Sequence, residues 1–122
     1  MNTYFNNRDN ENQNAYKTHL KLCKYFFRSP GKYISKIIFD PFQPSYKICK
    51  NNFPYCVPNK NIYHYLLWIN PKYMKYYTRS RIKSIIYTYF DERNIIKCFQ
   101  NRFLIQTIPE IPHYHIFIKN DF

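Results

Sequence analysis

Apolar residues recur along this chain with two different periods, and each change of period marks an element. In residues 15–29, Ala15, Tyr16, Leu20, Cys23 and Phe27 fall at helical spacing, while Lys17, Lys21, Lys24 and Arg28 form a second stripe. This predicts an amphipathic helix that Pro30 and Gly31 stop. Residues 33–40 are short, apolar and β-branched, and fit either a strand or a helical turn. Pro41, Pro44, Pro54 and Pro58 then break the chain into loop, with residues 45–49 a candidate short strand. From residue 61 to 69 the period drops to two. His64, Leu66 and Trp68 share one face, and Tyr63, Tyr65, Leu67 and Ile69 take the other. Helical spacing returns in residues 79–91 through Ile82, Ile85, Ile86, Tyr89 and Phe90, with Thr78 or Ser80 as the cap. Asp91 and Glu92 would then sit at the helix end whose dipole disfavours acids. Strands are predicted at 95–99, 103–108 and 111–119, the last with His113, His115 and Phe117 on one face and Tyr114, Ile116 and Ile118 on the other.

Short strands, connections too short for repeated crossovers and two helical segments predict a single small α+β domain over residues 15–122. Its sheet would be mainly antiparallel, with two or more flanking helices. The 122 residues suffice for one domain and not two. Residues 1–14 are Asn-rich, have little to bury and read as a flexible polar tail without the apolar segment of a secretory signal. No stretch approaches the roughly 20 apolar residues of a membrane helix. These features predict an intracellular protein, cytoplasmic or nuclear.

Charge adds a partner question. Nineteen Lys and Arg face seven Asp and Glu, a net charge of +12, and no acid occurs between Asp40 and Asp91. An anionic partner follows from charge alone. Yet the chain also holds 14 Tyr and a single Gly. Tyr, Lys, Asn and Ile have A/T-rich codons, so an A/T-rich genome, such as that of a large DNA virus or a parasite, raises Lys with no selection for binding.

The four cysteines, Cys23, Cys49, Cys56 and Cys98, form no C-x-x-C pair, so zinc-ribbon and thioredoxin chemistry is unsupported. A single glycine excludes glycine-dependent phosphate loops. Histidine carries more information. Residues i and i+2 of a strand stand about 6.5 to 7 Å apart, so His113 and His115 can converge on one ligand, and His64 joins them if its strand is a neighbour. Neutral imidazoles suit either a divalent metal or acid and base work on a phosphate or glycosidic oxygen. Asn101 could orient a histidine or a substrate, and Arg102 could contact an anion. Buried histidines hydrogen-bonded within a polar core are the structural alternative. The sequence assigns no cofactor and no oligomeric state.

At these same residues the chain resembles the fungal N-acetylglucosamine-induced protein 1 family, a domain of unknown function. Asn51-Asn52-Phe53-Pro54-Tyr55-Cys56 is similar to that family's Asn-Asp-aromatic-Pro-Tyr-Gly pattern, and His64-Tyr65-Leu66-Leu67-Trp68 to its His and Trp motif. Phe99-Gln100-Asn101-Arg102, Ile105-Gln106-Thr107-Ile108 and His113-Tyr114-His115-Ile116 align without a gap with its third pattern. The likeness spans residues 45–118, with a weaker echo over 28–46. Cys56 stands for a Gly, Arg102 for a Trp and Pro112 for a frequent acid. The resemblance implies a shared fold and a shared constellation of His64, Asn101, His113 and His115. The family name describes induction, so N-acetylglucosamine binding is not implied.

The expected function is therefore a small-molecule binding or hydrolytic site for a polar, phosphorylated or sugar-like ligand. His64, His113, His115 and Asn101 would carry it, beside Trp68, Tyr55 and Arg102. The rivals are a basic nucleic-acid-binding module using Lys17, Lys21, Lys24 and Arg28 with Tyr76 and Tyr77, and a non-catalytic interaction domain with an exposed aromatic surface.

Overall fold

The segment with the clearest period of two lies at the centre of the sheet. A computed structural model describes residues 4–101 and 111–119. Its strands are β1 (Tyr46–Lys50), β2 (Ile62–Ile69), β3 (Ile95–Phe99) and β4 (His113–Lys119). They form one sheet in the order β1-β2-β4-β3, with every neighbouring pair antiparallel. This is the expected α+β class. Residues 103–108, the other predicted strand, lie outside the described residues.

β2 and β4 are the inner pair, and their composition follows from that position. Leu66 to Ile69 of β2 and His115 to Ile118 of β4 are buried without a break. Their register sets Leu66 opposite His115, Trp68 opposite His113 and His64 opposite Phe117. A slip of one residue would reverse all these side chains, so the pairing gathers the three histidines on one face.

The two faces carry different chemistry. Leu67, Ile69, Ile116 and Ile118 pack against Ile82 and Ile86 of α3 (Arg79–Tyr89) in an apolar cluster. On the opposite face Leu66 and Trp68 meet Ile34, Phe39 and Ile111 beneath α2 (Pro30–Ile34) and the π-helical turn Ser35–Phe39 that continues it. α1 (Asn10–Phe27) packs against α2.

Capping decides the boundaries that periodicity left open. α1 begins at Asn10, five residues before the expected start, because the Asp9 carboxylate accepts from the Asn12 backbone N–H at 2.7 Å. Residues 10–14, read as tail, are therefore helical. Tyr16 and Cys23 are buried, whereas Lys17, Lys21, Lys24 and Arg28 are exposed. The ambiguous stretch at 33–40 is helical: Ser29 caps α2 by accepting from Lys32 N–H at 3.2 Å, and Pro30 stands in its first turn. Thr78 caps α3, accepting from Arg81 N–H at 3.2 Å. That helix ends at Tyr89, and Asp91 instead accepts from Arg93 N–H at 3.0 Å to open the 3-10 turn Glu92–Asn94. The acid thus meets the positive end of a turn, which removes the conflict with the helix dipole. Among the described residues no helix is long and apolar enough to cross a membrane.

Leu67 is wholly buried on the face turned to α3. Leu67→Ala should cost about 3 kcal/mol, the usual size for a core leucine. Urea unfolding measures this, and a loss under about 1 kcal/mol would mean that this face is not the main core.

Candidate functional site

Two backbone features assemble the site: the β2–β4 register, and the loop after β1 that folds back over His64. In that loop Asn51 Oδ1 accepts from Phe53 N–H at 2.8 Å, and Asn51 N–H donates to the His64 carbonyl at 2.9 Å. The turn so formed aims the Tyr55 backbone N–H at His64 Nδ1, 3.1 Å away. Asn51 Nδ2 approaches the same nitrogen at 3.3 Å. On its other side His64 Nε2 lies 2.8 Å from His115 Nδ1. The Asn101 carboxamide stands 3.1 Å from His115 Nε2 and 3.0 Å from the Tyr55 hydroxyl.

The proton positions follow from one unambiguous donor. A backbone N–H can only donate, so His64 Nδ1 must be a bare lone pair, and neutral His64 carries its proton on Nε2. His64 then donates to His115 Nδ1, which leaves the His115 proton on Nε2. That N–H faces the Asn101 amide, and it needs an acceptor there. An Nδ2 group in that place would set donor against donor. The donor order therefore calls for Oδ1, with the carboxamide turned by 180°, facing His115 Nε2–H and the Tyr55 hydroxyl. His113 has the other tautomer, because its Nδ1 lies 2.8 Å from the Ile111 carbonyl and must donate to it.

Burial keeps these rings neutral. His64 is 4% and His115 3% exposed. Desolvation, with the neighbouring His115 and the Arg8 cation adding to it, lowers the His64 pKa to about 2. Desolvation, then His113 and Arg8, lowers that of His115 to about 3. His113 is also lowered by desolvation. Rings stack around the relay: Phe117 lies 4.3 Å from His64, and Tyr55 and Phe99 lie 5.0 and 5.1 Å from His115.

Between this sheet face and the α1 and α2 layer lies a cavity of about 430 Å³. Tyr55, Asn101, His113, His115 and Trp68 line it, and His64 stands behind them. The site residues expected from sequence therefore fall into three groups. His64, His115, Asn101 and Tyr55 share one hydrogen-bonded network. His113 and Trp68 adjoin it, their rings 4.6 Å apart. Arg102 lies outside the described residues. Both nitrogens of His64 are occupied, and 2.8 Å between imidazole nitrogens is a hydrogen bond rather than a shared metal. Among the described residues no three His, Cys, Asp or Glu side chains are placed to hold a metal ion.

Sequence reasoning missed Arg8 and Asn51. Arg8 lines the cavity from the N-terminal segment, its guanidinium 3.8 Å from the Tyr16 ring centre and 4.8 Å from that of Tyr55. Phe5 N–H donates to the Cys56 carbonyl and Cys56 N–H to the Asn7 carbonyl, at 2.8 and 2.6 Å. Nothing local in the polar stretch 1–14 signals that anchorage, whereas Asn51 opened a motif already singled out.

Fold and site together define a small α+β domain with a buried polar network behind a ligand-sized cavity. The chain belongs to the family described as Protein of unknown function (DUF3605), which matches residues 3–119. No curated protein matches it in sequence. Its fold is similar to the crystal structure of HTC1, with 15% identity, a TM-score of 0.64, and coverage of 93% of this chain and 75% of that one. At that identity the likeness concerns the fold.

Two measurements check the assignments. Long-range proton–nitrogen NMR should find His64 and His115 as Nε2–H tautomers and His113 as Nδ1–H; an Nδ1–H form of His64 would break the derivation. Unfolded histidines bind protons near 6.5 and the folded pair far lower, so the stability is complete above pH 6.5 and falls as pH drops from there toward 3. By pH 5 each of the two should have cost about 2 kcal/mol. A urea midpoint that stays constant between pH 7 and 5 would contradict this.

Proposed function

We propose that this domain binds a small polar molecule, sugar-like or phosphorylated, in the cavity over the β2–β4 face. Tyr55, Asn101 and His113 would read its polar groups, with His115 holding Asn101 from behind and Trp68 and the aromatic wall against its body. The observation that carries the reading is the position of the buried network. A polar relay in a core is costly compared with packed apolar residues, and this one runs from the buried His64 to side chains at the cavity surface. The likeness to the N-acetylglucosamine-induced protein 1 family supports it, since the motifs at 51–56, 64–68, 99–102 and 113–116 include the residues of this wall.

The reading is binding rather than hydrolysis. Burial, with His113 and Arg8 adding to it, holds His115 well below the ordinary histidine range, so the ring is neutral at pH 7 and poorly suited to donate a proton as a general acid. Neutral imidazoles with fixed tautomers instead offer directional donors and acceptors, which suits recognition.

Trp68 is the chain's only tryptophan, and it lines the cavity. A panel of sugar phosphates and nucleoside monophosphates should contain members that change its fluorescence. Asn101→Ala should weaken those members about tenfold and, because it leaves the buried His115 N–H without its acceptor, cost about 1 to 3 kcal/mol of unfolding free energy in urea. If the panel leaves Trp68 silent, or Asn101→Ala binds as tightly as the parent, the reading fails.

A further inference from the structure

Two cations line the cavity and the network explains neither: Lys50 is exposed with its ammonium 4.7 Å from the Tyr63 ring centre, whereas Arg8 is drawn into the wall. Arg8 is half-buried, and burial lowers its pKa below the ordinary arginine value. Its Nε–H donates to the Phe53 carbonyl at 2.6 Å, and its guanidinium leans on Tyr16 and Tyr55. Among the described residues the one ion pair joins Arg93 to Asp91, so no described carboxylate neutralises Arg8. The neighbouring Asp9 accepts from Asn12 instead. Among the described residues no Asp or Glu lines the cavity, whose other polar walls are Asn, Gln, Tyr, His and Lys side chains.

A partly desolvated cation without a counterion costs stability unless something anionic completes it. Tying Nε to the Phe53 carbonyl fixes the plane of the guanidinium and leaves the two terminal amino groups, the pair that matches two oxygens of a phosphate or carboxylate. Arg8 is carried into place by the backbone bonds that join Phe5 and Asn7 to Cys56. Trp68, which also lines the cavity, supplies a flat apolar surface, its ring 4.6 Å from that of His113.

We propose that the cavity selects an oxyanion, with Arg8 as the anion-binding residue and the aromatic wall holding a planar or apolar body attached to it. This rests on the reading of the cavity as a binding site and adds the charge class of its ligand. An aryl monophosphate has the required form, and an aryl carboxylate is the alternative oxyanion.

The test titrates the whole chain with phenyl phosphate, benzoate and uncharged benzyl alcohol, following Trp68 fluorescence. Phenyl phosphate or benzoate should bind about tenfold more tightly than benzyl alcohol, and the tighter of the two names the oxyanion. Arg8→Gln should remove that advantage while binding benzyl alcohol as the parent does, which shows that the cavity survives the substitution. Equal binding of charged and uncharged probes, or an Arg8→Gln variant that keeps the anion preference, overturns the oxyanion proposal and leaves the binding site standing. Failure of all three probes to perturb Trp68 overturns both. Loss of benzyl alcohol binding in Arg8→Gln overturns the proposal by making Arg8 a structural strut.

Discussion

One backbone N–H sets the chemistry of the site. Tyr55 N–H points at His64 Nδ1, and no adjustment of protonation can make that group an acceptor. Every proton position beyond it follows in order through His115 to Asn101. In solution an imidazole exchanges tautomers freely. Here the choice is made by the loop 51–55, so the groups presented to the cavity are fixed by the fold itself.

The sheet makes such a polar network tolerable by separating it from the apolar core. Leu67, Ile69, Ile116 and Ile118 bury their area against α3, on the face that carries no histidine. The other face contributes less apolar packing and holds the relay. Buried polar groups cost little only when each has a partner. Here the partners are supplied by the loop after β1, the Ile111 carbonyl and Asn101, so the cost of burying three histidines falls mainly on their charged forms.

The same separation explains why the cavity is one-sided. α3 packs closely on its face, with isoleucines from the helix seated among those of the strands. On the other face α1 packs against α2. Space remains between that layer and the sheet, filled partly by Tyr16, Phe53 and Tyr33 and bordered by Arg8. The positive charge that dominates the composition is divided accordingly. Lys17, Lys21, Lys24 and Arg28 are exposed, and Arg8 is drawn inward.

Local pattern by itself determined the α+β class, the two faces of β2 and β4 and the grouping of His64 with Trp68 and of His113 with His115, because a strand's period of two is a property of its backbone. Thr78 as a helix cap was equally local, since capping involves residues three positions apart. Only the tertiary structure decided that β2 and β4 are neighbours in a register that closes the His64–His115 bond. It also placed Asn51 and the Tyr55 N–H over His64, and Arg8 in the cavity wall. Those contacts join residues 9 to 51 positions apart. Their formation depends on chain packing and loop geometry, which no short window of residues encodes, so the sequence could name the histidines but not their tautomers, their partners or the cation beside them.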